Sequence, residues 1–158
     1  TAKIVYSKKI LVSPYKGDGR GLMFRLANLR RNILIGLSVE VIFSYNEVVD
    51  GKTVRRFFPL ELERSNVSIL TVSWTIVHPL DDNSPLRDMT LEELKRTEAG
   101  FSVMLKAFDD TFSQTVHSRA AYYSNDIVWD AKFRPVFDRD EDGIIVLDLS
   151  RLHHYDAV

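Results

Sequence analysis

Residues 21–31 read GLMFRLANLRR, and this stretch decides which fold the chain can adopt. Leu22, Phe24 and Leu26 would lie on one face of an extended segment, with a second set of side chains on the other face. A period of two is typical of a β-strand that buries one of its faces. We therefore predict a half-buried central strand here, around which a β-rich domain can be arranged.

A pair of positive charges ends the same stretch. Arg30 and Arg31 follow the apolar residues directly, so both guanidinium groups are expected where the strand leaves the sheet. Cationic side chains at such a position can contact the phosphate or carboxylate groups of a partner. The end of the strand is therefore a candidate contact for anions, and a solvated pair at a turn is the alternative.

The composition fits a single domain over residues 1–158. At 45% hydrophobic residues, a chain of this length can bury a substantial core. Because the sequence has no cysteine, it can form neither disulfides nor thiolate metal sites. Lysine and arginine number 21 against 22 aspartate and glutamate residues, which disfavours a nucleic-acid partner. No run of about 18 apolar residues is present, so the sequence predicts no transmembrane helix.

Alternation with a period of two recurs along the chain. Its clearest instance predicts a long antiparallel strand over 35–45, which an Asp-Gly turn connects to a partner strand over 53–58. Thr90 and Glu93 form a capping-box pattern that predicts one short helix over Met89–Arg96. Many short strands with a single helix predict an all-β fold, an immunoglobulin-like β-sandwich with one short peripheral helix. The remaining predicted strands are 3–7, 9–13, 68–72, 74–77, 101–107, 112–123, 133–137 and 144–149.

Residues 138–143 read DRDEDG, which matches the first half of a calcium-binding loop. The second half does not match, because position twelve is Leu149 rather than a glutamate. A hairpin turn is therefore favoured, with calcium binding at Asp138–Asp142 as the alternative. No two of the four histidines have a spacing that would place both rings on one metal ion. We expect no metal, no cofactor and no enzyme activity.

Two adjacent carboxylates, Asp109 and Asp110, lie between two predicted strands. In a single chain they would be solvated side chains of a tight turn. In a symmetric assembly the same turns could converge on an axis and present a ring of carboxylates to a cation. The sequence pattern does not choose between these two interpretations.

Residues 73–86 read SWTIVHPLDDNSPL. This segment resembles the T-[IV]-[VM]-H-x-[IL]-D-x-x-S-P-[LI] pattern of inward-rectifier potassium channels, in the cytoplasmic domain that follows their last transmembrane helix. The LMFRLANLRR stretch is similar to a second motif of that family, and further matches follow in family order at 117–122, 125–129 and 148–153. The segment between Pro59 and Thr75 is shorter than in animal members, which favours the prokaryotic branch.

The resemblance implies a non-enzymatic domain that assembles as a homotetramer. It implies that the domain extends the pathway of potassium ions into the cytoplasm and couples lipid or ligand binding to the gate. The chain is then expected to be the soluble cytoplasmic part of a membrane channel, without its transmembrane part. A free-standing β-sandwich that binds a protein partner or a small ligand remains the competing interpretation.

The resemblance also implies roles for particular residues. Arg30 and Arg31 match a basic pair that contacts anionic lipid headgroups, and Ala107-Phe108-Asp109-Asp110 matches the loop that forms the cytoplasmic constriction. We hypothesise that Arg119 supports this loop through a salt bridge with Asp110.

Gly36 and Lys106 stand where many members of the family carry acidic residues that face the pore. Carboxylates around an axis attract a multivalent cation, whereas ammonium groups repel it. The resemblance therefore implies weak block by polyamines in this chain.

Overall fold

The structure, a computed structural model, describes residues 2–158. Strands dominate it, and two of its sheets contain five strands each. The only α-helix among these residues is α1 (Leu91–Arg96), and 3₁₀ turns span Ser124–Asp126 and Leu149–His153. In chain order the strands are β1 (Ile4–Tyr6), β2 (Ile10–Pro14), β3 (Arg20–Asn28), β4 (Leu34–Val49), β5 (Lys52–Pro59), β6 (Asn66–Ile69), β7 (Ser73–Pro79), β8 (Gly100–Asp109), β9 (Gln114–Tyr123), β10 (Ile127–Trp129), β11 (Ala131–Phe133), β12 (Phe137–Arg139), β13 (Ile145–Leu147) and β14 (Tyr155–Ala157).

The predicted central strand, β3, organises the first sheet. One of its edges pairs antiparallel with β7 over seven residues, from Gly21 to Ala27. Its other edge pairs with β2 near its start and with β1 near its end. β10 extends the sheet beyond β2 and runs parallel to it. The position of this strand in the middle of a sheet confirms the sequence-based prediction.

The second sheet is arranged in the same way around β4. One edge of β4 pairs with β8, and the other pairs with β6 near its start and with β5 near its end. β9 lies beyond β8 at the edge of the sheet. β4 is longer than predicted, and its register against β8 shifts between Ile35 and Ser38. Gly36 has a φ of +55° in this irregular stretch, a backbone conformation that glycine adopts without strain.

The inward faces of the two sheets share one hydrophobic core. Phe24 and Ile76 of the first sheet and Phe43, Phe101 and Leu105 of the second are among its buried members. Burial of such side chains is the main favourable contribution to folding. The arrangement confirms an all-β sandwich with one short helix.

Several predicted elements have different bounds in the structure. The predicted strand 133–137 is split into β11 and β12, because Pro135 lies between them and has no N–H group for a ladder. β13 ends at Leu147 and a 3₁₀ turn follows, whereas the prediction continued the strand to Leu149. The three-residue strands β10 and β14 were not predicted, because such short segments carry too few residues to show a period.

The predicted helix is confirmed with a later start, at Leu91. Thr90 is its N-cap, and the Thr90 side chain accepts a hydrogen bond from the backbone N–H of Glu93 at 3.2 Å. Leu94 is its buried residue and belongs to the common core. Among residues 2–158, no helix is long and apolar enough to cross a membrane.

β3 is buried on both faces, which the half-buried pattern did not predict. Arg25 and Ala27 point away from the common core and are still only 4% and 0% exposed. The C-terminal part of the chain covers them, and Ala27 forms a second hydrophobic cluster with Val136 and Leu152. The sequence-based expectation of a solvent-facing side is therefore wrong for this strand.

The Arg25 guanidinium anchors the covering segment. Its Nε donates to the carbonyl of Leu152 at 2.8 Å, and Nη2 donates to the carbonyls of Arg151 at 2.8 Å and His154 at 3.3 Å. Its central carbon lies 4.5 Å from the centre of the Phe133 ring, a cation–π contact. Burial lowers the pKa of Arg25 to about 10, so the group is charged at neutral pH.

Arg25→Met removes the guanidinium from these carbonyls and leaves the carbonyl of Leu152 without a donor, whereas the carbonyls of Arg151 and His154 keep the backbone N–H groups of His154 and Arg134. We expect the free energy of unfolding to fall by about 2 kcal/mol, because a buried acceptor left without a donor costs about 1–3 kcal/mol. Urea denaturation followed by tryptophan fluorescence measures the change, and hydrogen exchange should show lost protection over 149–154. Arg134→Met is the matched control, since that arginine is exposed and paired with Asp156, and it should leave the unfolding midpoint nearly unchanged. Equal midpoints for both variants would contradict an anchoring role of Arg25.

A buried histidine fixes the connection after β7. His78 is 4% exposed, and its Nδ1 lies 2.6 Å from the carbonyl oxygen of Glu61. Since a carbonyl only accepts, Nδ1 carries the proton and Nε2 accepts from the Ser84 hydroxyl at 2.7 Å. Ser84 Oγ in turn accepts the backbone N–H of Leu86 at 3.1 Å. The neutral imidazole therefore has both nitrogens satisfied.

Stability should decrease as the pH falls below about 6.5, the ordinary pKa of histidine. Burial lowers the pKa of His78 in the folded chain, and burial with nearby cations does the same for His153. Between the lowered values and about 6.5, the unfolded chain binds more protons and acid favours unfolding. Unfolding midpoints at about pH 7.5 and pH 5.5 test this, because carboxylates titrate mainly below that window. His78→Gln should reduce the difference between the midpoints, whereas His117→Gln at an exposed site should retain it.

Candidate functional site

The two segments to which the sequence assigns roles lie side by side at one end of the second sheet. Leu34, at the start of β4, is the register partner of Asp109, at the end of β8. The backbone N–H of Asp110 donates to the carbonyl of Ile33 at 2.9 Å. We call the residues 29–33 and 109–113 together the rim. The fold thus joins the arginine pair and the 107–110 loop, which are far apart in sequence.

Asn28, the last residue of β3, orders the part of the rim that contains the arginines. Its Oδ1 accepts the backbone N–H groups of Lys3 at 3.0 Å and Arg30 at 3.2 Å. Its Nδ2 donates to the carbonyl of Asn32 at 3.2 Å and to the Asn32 side chain at 3.1 Å. Arg30 and Arg31 are both exposed. Their backbone is therefore held while their charged groups remain accessible to an anion.

Asp109 connects the two halves of the rim. One carboxylate oxygen accepts from Asn32 Nδ2 at 2.8 Å, and the other accepts the backbone N–H groups of Thr111 at 3.0 Å and Phe112 at 3.2 Å. The Thr111 hydroxyl also accepts the backbone N–H of Ile33 at 3.1 Å. Asp109 is 0% exposed, so the expectation of a solvated carboxylate is wrong at this position. Alternation along β8 turns its side chain inward, where three hydrogen bonds stabilise the charge.

The 107–110 segment, which the sequence matches to the constriction loop, contains both buried and exposed side chains. Ala107 and Asp109 are buried, at 2% and 0% exposure. Lys106 and Phe108 are exposed on the opposite face of β8, and Asp110 is exposed after its end. Ala107 and Asp109 consequently cannot contribute side chains to the wall of a pore in this conformation.

Gly36 and Lys106 lie close together on the outer face of the second sheet. Lys106 is the register partner of Ser38, two residues after Gly36. Both Gly36 and Lys106 are exposed, and no atom lies within 4 Å of a Cβ built on Gly36. The structure therefore brings these two positions onto one accessible surface.

The salt bridge hypothesised between Asp110 and Arg119 is not formed within the chain. Arg119 is the register partner of Met104, whereas Asp109 opposes Gln114. Gln114, which opposes Asp109, and Arg119 are five residues apart along β9, or about 17 Å at the usual rise of a strand. Over residues 2–158, neither Asp110 nor Arg119 takes part in an ion pair.

The acidic segment 138–142 forms a hairpin turn rather than a calcium loop. One oxygen of Asp140 accepts the backbone N–H groups of Asp142 at 3.0 Å and Ile144 at 2.9 Å. The Asp138 carboxylate lies 3.2 Å from the Arg151 guanidinium. In the part of the chain that the structure describes, no three histidine or acidic side chains form a group that could hold a metal ion.

The sequence analysis missed Asn28 and Asn32, whose side chains order the candidate site. Both residues are asparagines; Asn28 precedes the arginine pair and Asn32 follows it. An asparagine next to a turn commonly bonds to nearby backbone groups, and this was the signal available. Their link to Asp109, by contrast, depends on the pairing of β4 with β8 and has no local signature.

Asp109→Ala should loosen the rim. We expect a loss of about 2–3 kcal/mol in the free energy of unfolding, since the amides of Thr111 and Phe112 lose a charged acceptor. Their hydrogen exchange should accelerate more than that of β8, which separates local loosening from global unfolding. Asp110→Ala, one residue away at an exposed position, should change neither quantity appreciably. Unchanged exchange at both amides in Asp109→Ala would contradict this account.

Comparison with known proteins gives one family. The sequence profile of the inward rectifier potassium channel C-terminal domain matches residues 4–158. The inward rectifier potassium channel Kirbac3.1 of Paramagnetospirillum magnetotacticum is 36% identical over 154 residues, which are 97% of this chain and 52% of that protein. ATP-sensitive inward rectifier potassium channel 15 of Homo sapiens is 30% identical over 135 residues, which are 82% of this chain and 36% of that protein.

The chain thus spans about half the length of the bacterial relative and about a third of the human one. Its higher identity to the bacterial protein agrees with the prokaryotic branch. Among solved structures, the sporulation control protein Spo0M of Bacillus subtilis matches with a TM-score of 0.32 and 12% identity, over 77% of this chain and 47% of that one. This last similarity is too low to inform the fold.

Proposed function

The chain belongs to the inward rectifier potassium channel C-terminal domain family, and from this premise we propose that it is the gating and pore-extending part of a tetrameric potassium channel. In this role the chain occupies the cytoplasmic face of the cell membrane as a single domain, and four copies surround the path of potassium ions. Anionic lipid headgroups bind at Arg30 and Arg31. The observation that supports the proposal best is the hydrogen-bonded rim, which joins these arginines to the 109–113 loop.

The first step of the proposed mechanism is electrostatic. A basic side chain near an anionic leaflet contributes about 1 kcal/mol to membrane attraction, so the pair gives each subunit about 2 kcal/mol. Arg30 and Arg31 are exposed, and no carboxylate within residues 2–158 forms an ion pair with either. Their charges therefore remain available to a headgroup.

The second step transmits the contact to the loop. A shift of the backbone at 30–31 acts on Asn32, and Asn32 is bonded to Asp109 at 2.8 Å. Because Asp109 also holds the amides of Thr111 and Phe112, it cannot move without moving the loop. Coupling of this kind needs a contiguous set of contacts with two arrangements, and the rim supplies the contacts.

The third step acts on the ion pathway. Phe108 and Phe112 present apolar rings to solvent at the loop, with 37% and 58% exposure. A ring of apolar side chains around a narrow axis can stop conduction by excluding water. Movement of the 109–113 loop would then widen or narrow this constriction.

Lipid dependence tests the proposal in the longer channel protein that contains this chain, reconstituted in vesicles with and without anionic lipid. In the 158-residue chain, Arg30→Gln with Arg31→Gln should reduce binding to anionic vesicles about thirtyfold, since about 2 kcal/mol is lost per subunit, and in the channel the same change should reduce the lipid effect on potassium flux. Asn32→Ala should retain lipid binding and lose the effect on flux. Arg134→Gln, at an exposed arginine elsewhere, is the matched control.

Retention of the full lipid effect on flux in both the arginine variant and Asn32→Ala would overturn the proposed coupling. Loss of binding in Asn32→Ala would overturn the separation of contact from transmission.

Weak polyamine block is expected for the same channel. Neither Gly36 nor Lys106 has a carboxylate side chain, and four ammonium groups around an axis repel a polyamine. Lys106→Glu should strengthen block by spermine, which voltage-clamp recordings at graded spermine concentrations measure. Lys95→Glu, on the helix, controls for a general change in charge. Strong block in the unmodified channel that changes in this domain abolish would contradict this expectation.

A further inference from the structure

Hydrogen bonds attach the C-terminal segment 149–154 to the first sheet at two places. The first is Arg25 of β3, which donates to three carbonyls of the segment. The second is His153, whose Nδ1 accepts the backbone N–H of Lys8 at 3.0 Å. Lys8 lies in the connection between β1 and β2, 145 positions before His153. This second contact therefore joins the two ends of the chain.

The partner of His153 determines where its ring carries the proton. A backbone N–H only donates, so Nδ1 is unprotonated and the neutral ring has its hydrogen on Nε2. A charged imidazolium has a hydrogen on both nitrogens and accepts no hydrogen bond. Protonation of His153 therefore removes the contact and sets two donors against each other. Arg25, with a pKa of about 10, keeps its charge in acid, so the first attachment persists.

The surroundings of the half-buried ring also oppose its protonation. Burial lowers the pKa of His153 most, and nearby groups that are cationic in acid lower it further: Lys8 from the β1–β2 connection, His154 from the same segment and Arg25 from β3. The carboxylates of the covering segment, Asp138 and Asp148, are both paired with Arg151. A charged His153 is therefore repelled by its neighbours and finds no free counter-charge among them.

We propose that His153 is an acid-sensitive contact that regulates how tightly the two ends of the chain are joined. The neutral ring holds segment 149–154 to the β1–β2 connection. The charged ring releases the Lys8 N–H and turns to solvent. Arg25 and the packing of Leu152 against Ala27 still hold the segment on β3, so the change is a local opening. The proposal does not depend on the proposed channel function.

A nuclear magnetic resonance titration of the 158-residue chain from about pH 7.5 to about pH 4.5 tests the contact. The neutral His153 ring should be the Nε2–H tautomer. The amide proton of Lys8 should move upfield with the same midpoint as the His153 ring, below about 6.5, the ordinary pKa of histidine. Its exchange protection, relative to the unfolded chain at the same pH, should fall about three- to tenfold, as expected for one lost hydrogen bond.

The amide of Val39 is the internal reference, since it donates to the carbonyl of Ser65 and no titrating group takes part in that bond. Its protection should not follow the His153 midpoint. Different midpoints for the Lys8 amide and the His153 ring would overturn the proposal. A neutral ring with its hydrogen on Nδ1 would overturn it as well.

Variants separate this contact from other effects of acid. His153→Phe removes the acceptor, so the Lys8 amide should have its low protection already at pH 7.5 and show no response to acid. Lys8→Met keeps the backbone N–H and removes a nearby ammonium, so at low ionic strength the midpoint of His153 should rise. His154→Gln is the matched control at the neighbouring, exposed histidine and should retain the response.

A response of the Lys8 amide that persists in His153→Phe would assign it to another group and overturn the proposal. An unchanged midpoint in Lys8→Met would overturn the proposed arrangement of charges around the ring. If His153→Phe does not fold, Lys8→Met and the titration of the unmodified chain still decide the question.

Discussion

The structure depends on a buried cation that has no carboxylate partner. Arg25 lies in the middle of β3 and donates to three backbone carbonyls of the C-terminal segment. Desolvation of a charge is costly unless hydrogen bonds satisfy it, and a guanidinium has enough donors in a fixed plane to meet several carbonyls at once. Lysine, with one ammonium, would not match this arrangement. Since β3 also pairs with β1, β2 and β7, the strand that organises the first sheet also anchors the end of the chain.

The same strand leads directly to the rim. Asn28 ends β3 and bonds to Asn32, and Asn32 bonds to Asp109 in the second sheet. A side-chain connection therefore runs from the last residue of the central strand of one sheet to the last residue of a strand in the other. Each member makes more than one hydrogen bond, so the members of this network are expected to move together rather than one at a time. The exposed arginines are thus attached to a hydrogen-bonded network rather than to a free loop.

The sequence was informative wherever a local pattern controls the structure. Alternation located β3, β4 and β8, and the Thr90 pattern located the helix, because both depend on residues close in sequence. It was uninformative where distant segments meet, as in the burial of Arg25 under residues 151–154. Asp109 is the instructive case. Continuing the alternation of β8 by two residues beyond Ala107 turns it inward, but a carboxylate there suggested a solvated turn because its partner Asn32 was not visible from sequence.

The inward position of Asp109 changes the charges that four copies would present to an ion. In the proposed tetramer, each subunit offers an exposed carboxylate in the loop, Asp110, and an exposed ammonium on the outer face of the sheet, Lys106, which shares that face with the exposed Glu40. Four residues separate Asp110 from Lys106, or about 13 Å along a strand, which exceeds the Debye length of about 8 Å at physiological ionic strength. Solvent-exposed rings at this spacing are largely screened from each other. A cation would therefore meet the Asp110 ring and the Lys106 ring as two separate steps, and Glu40 offsets part of the repulsion at the second, which acts most strongly on ions of higher charge.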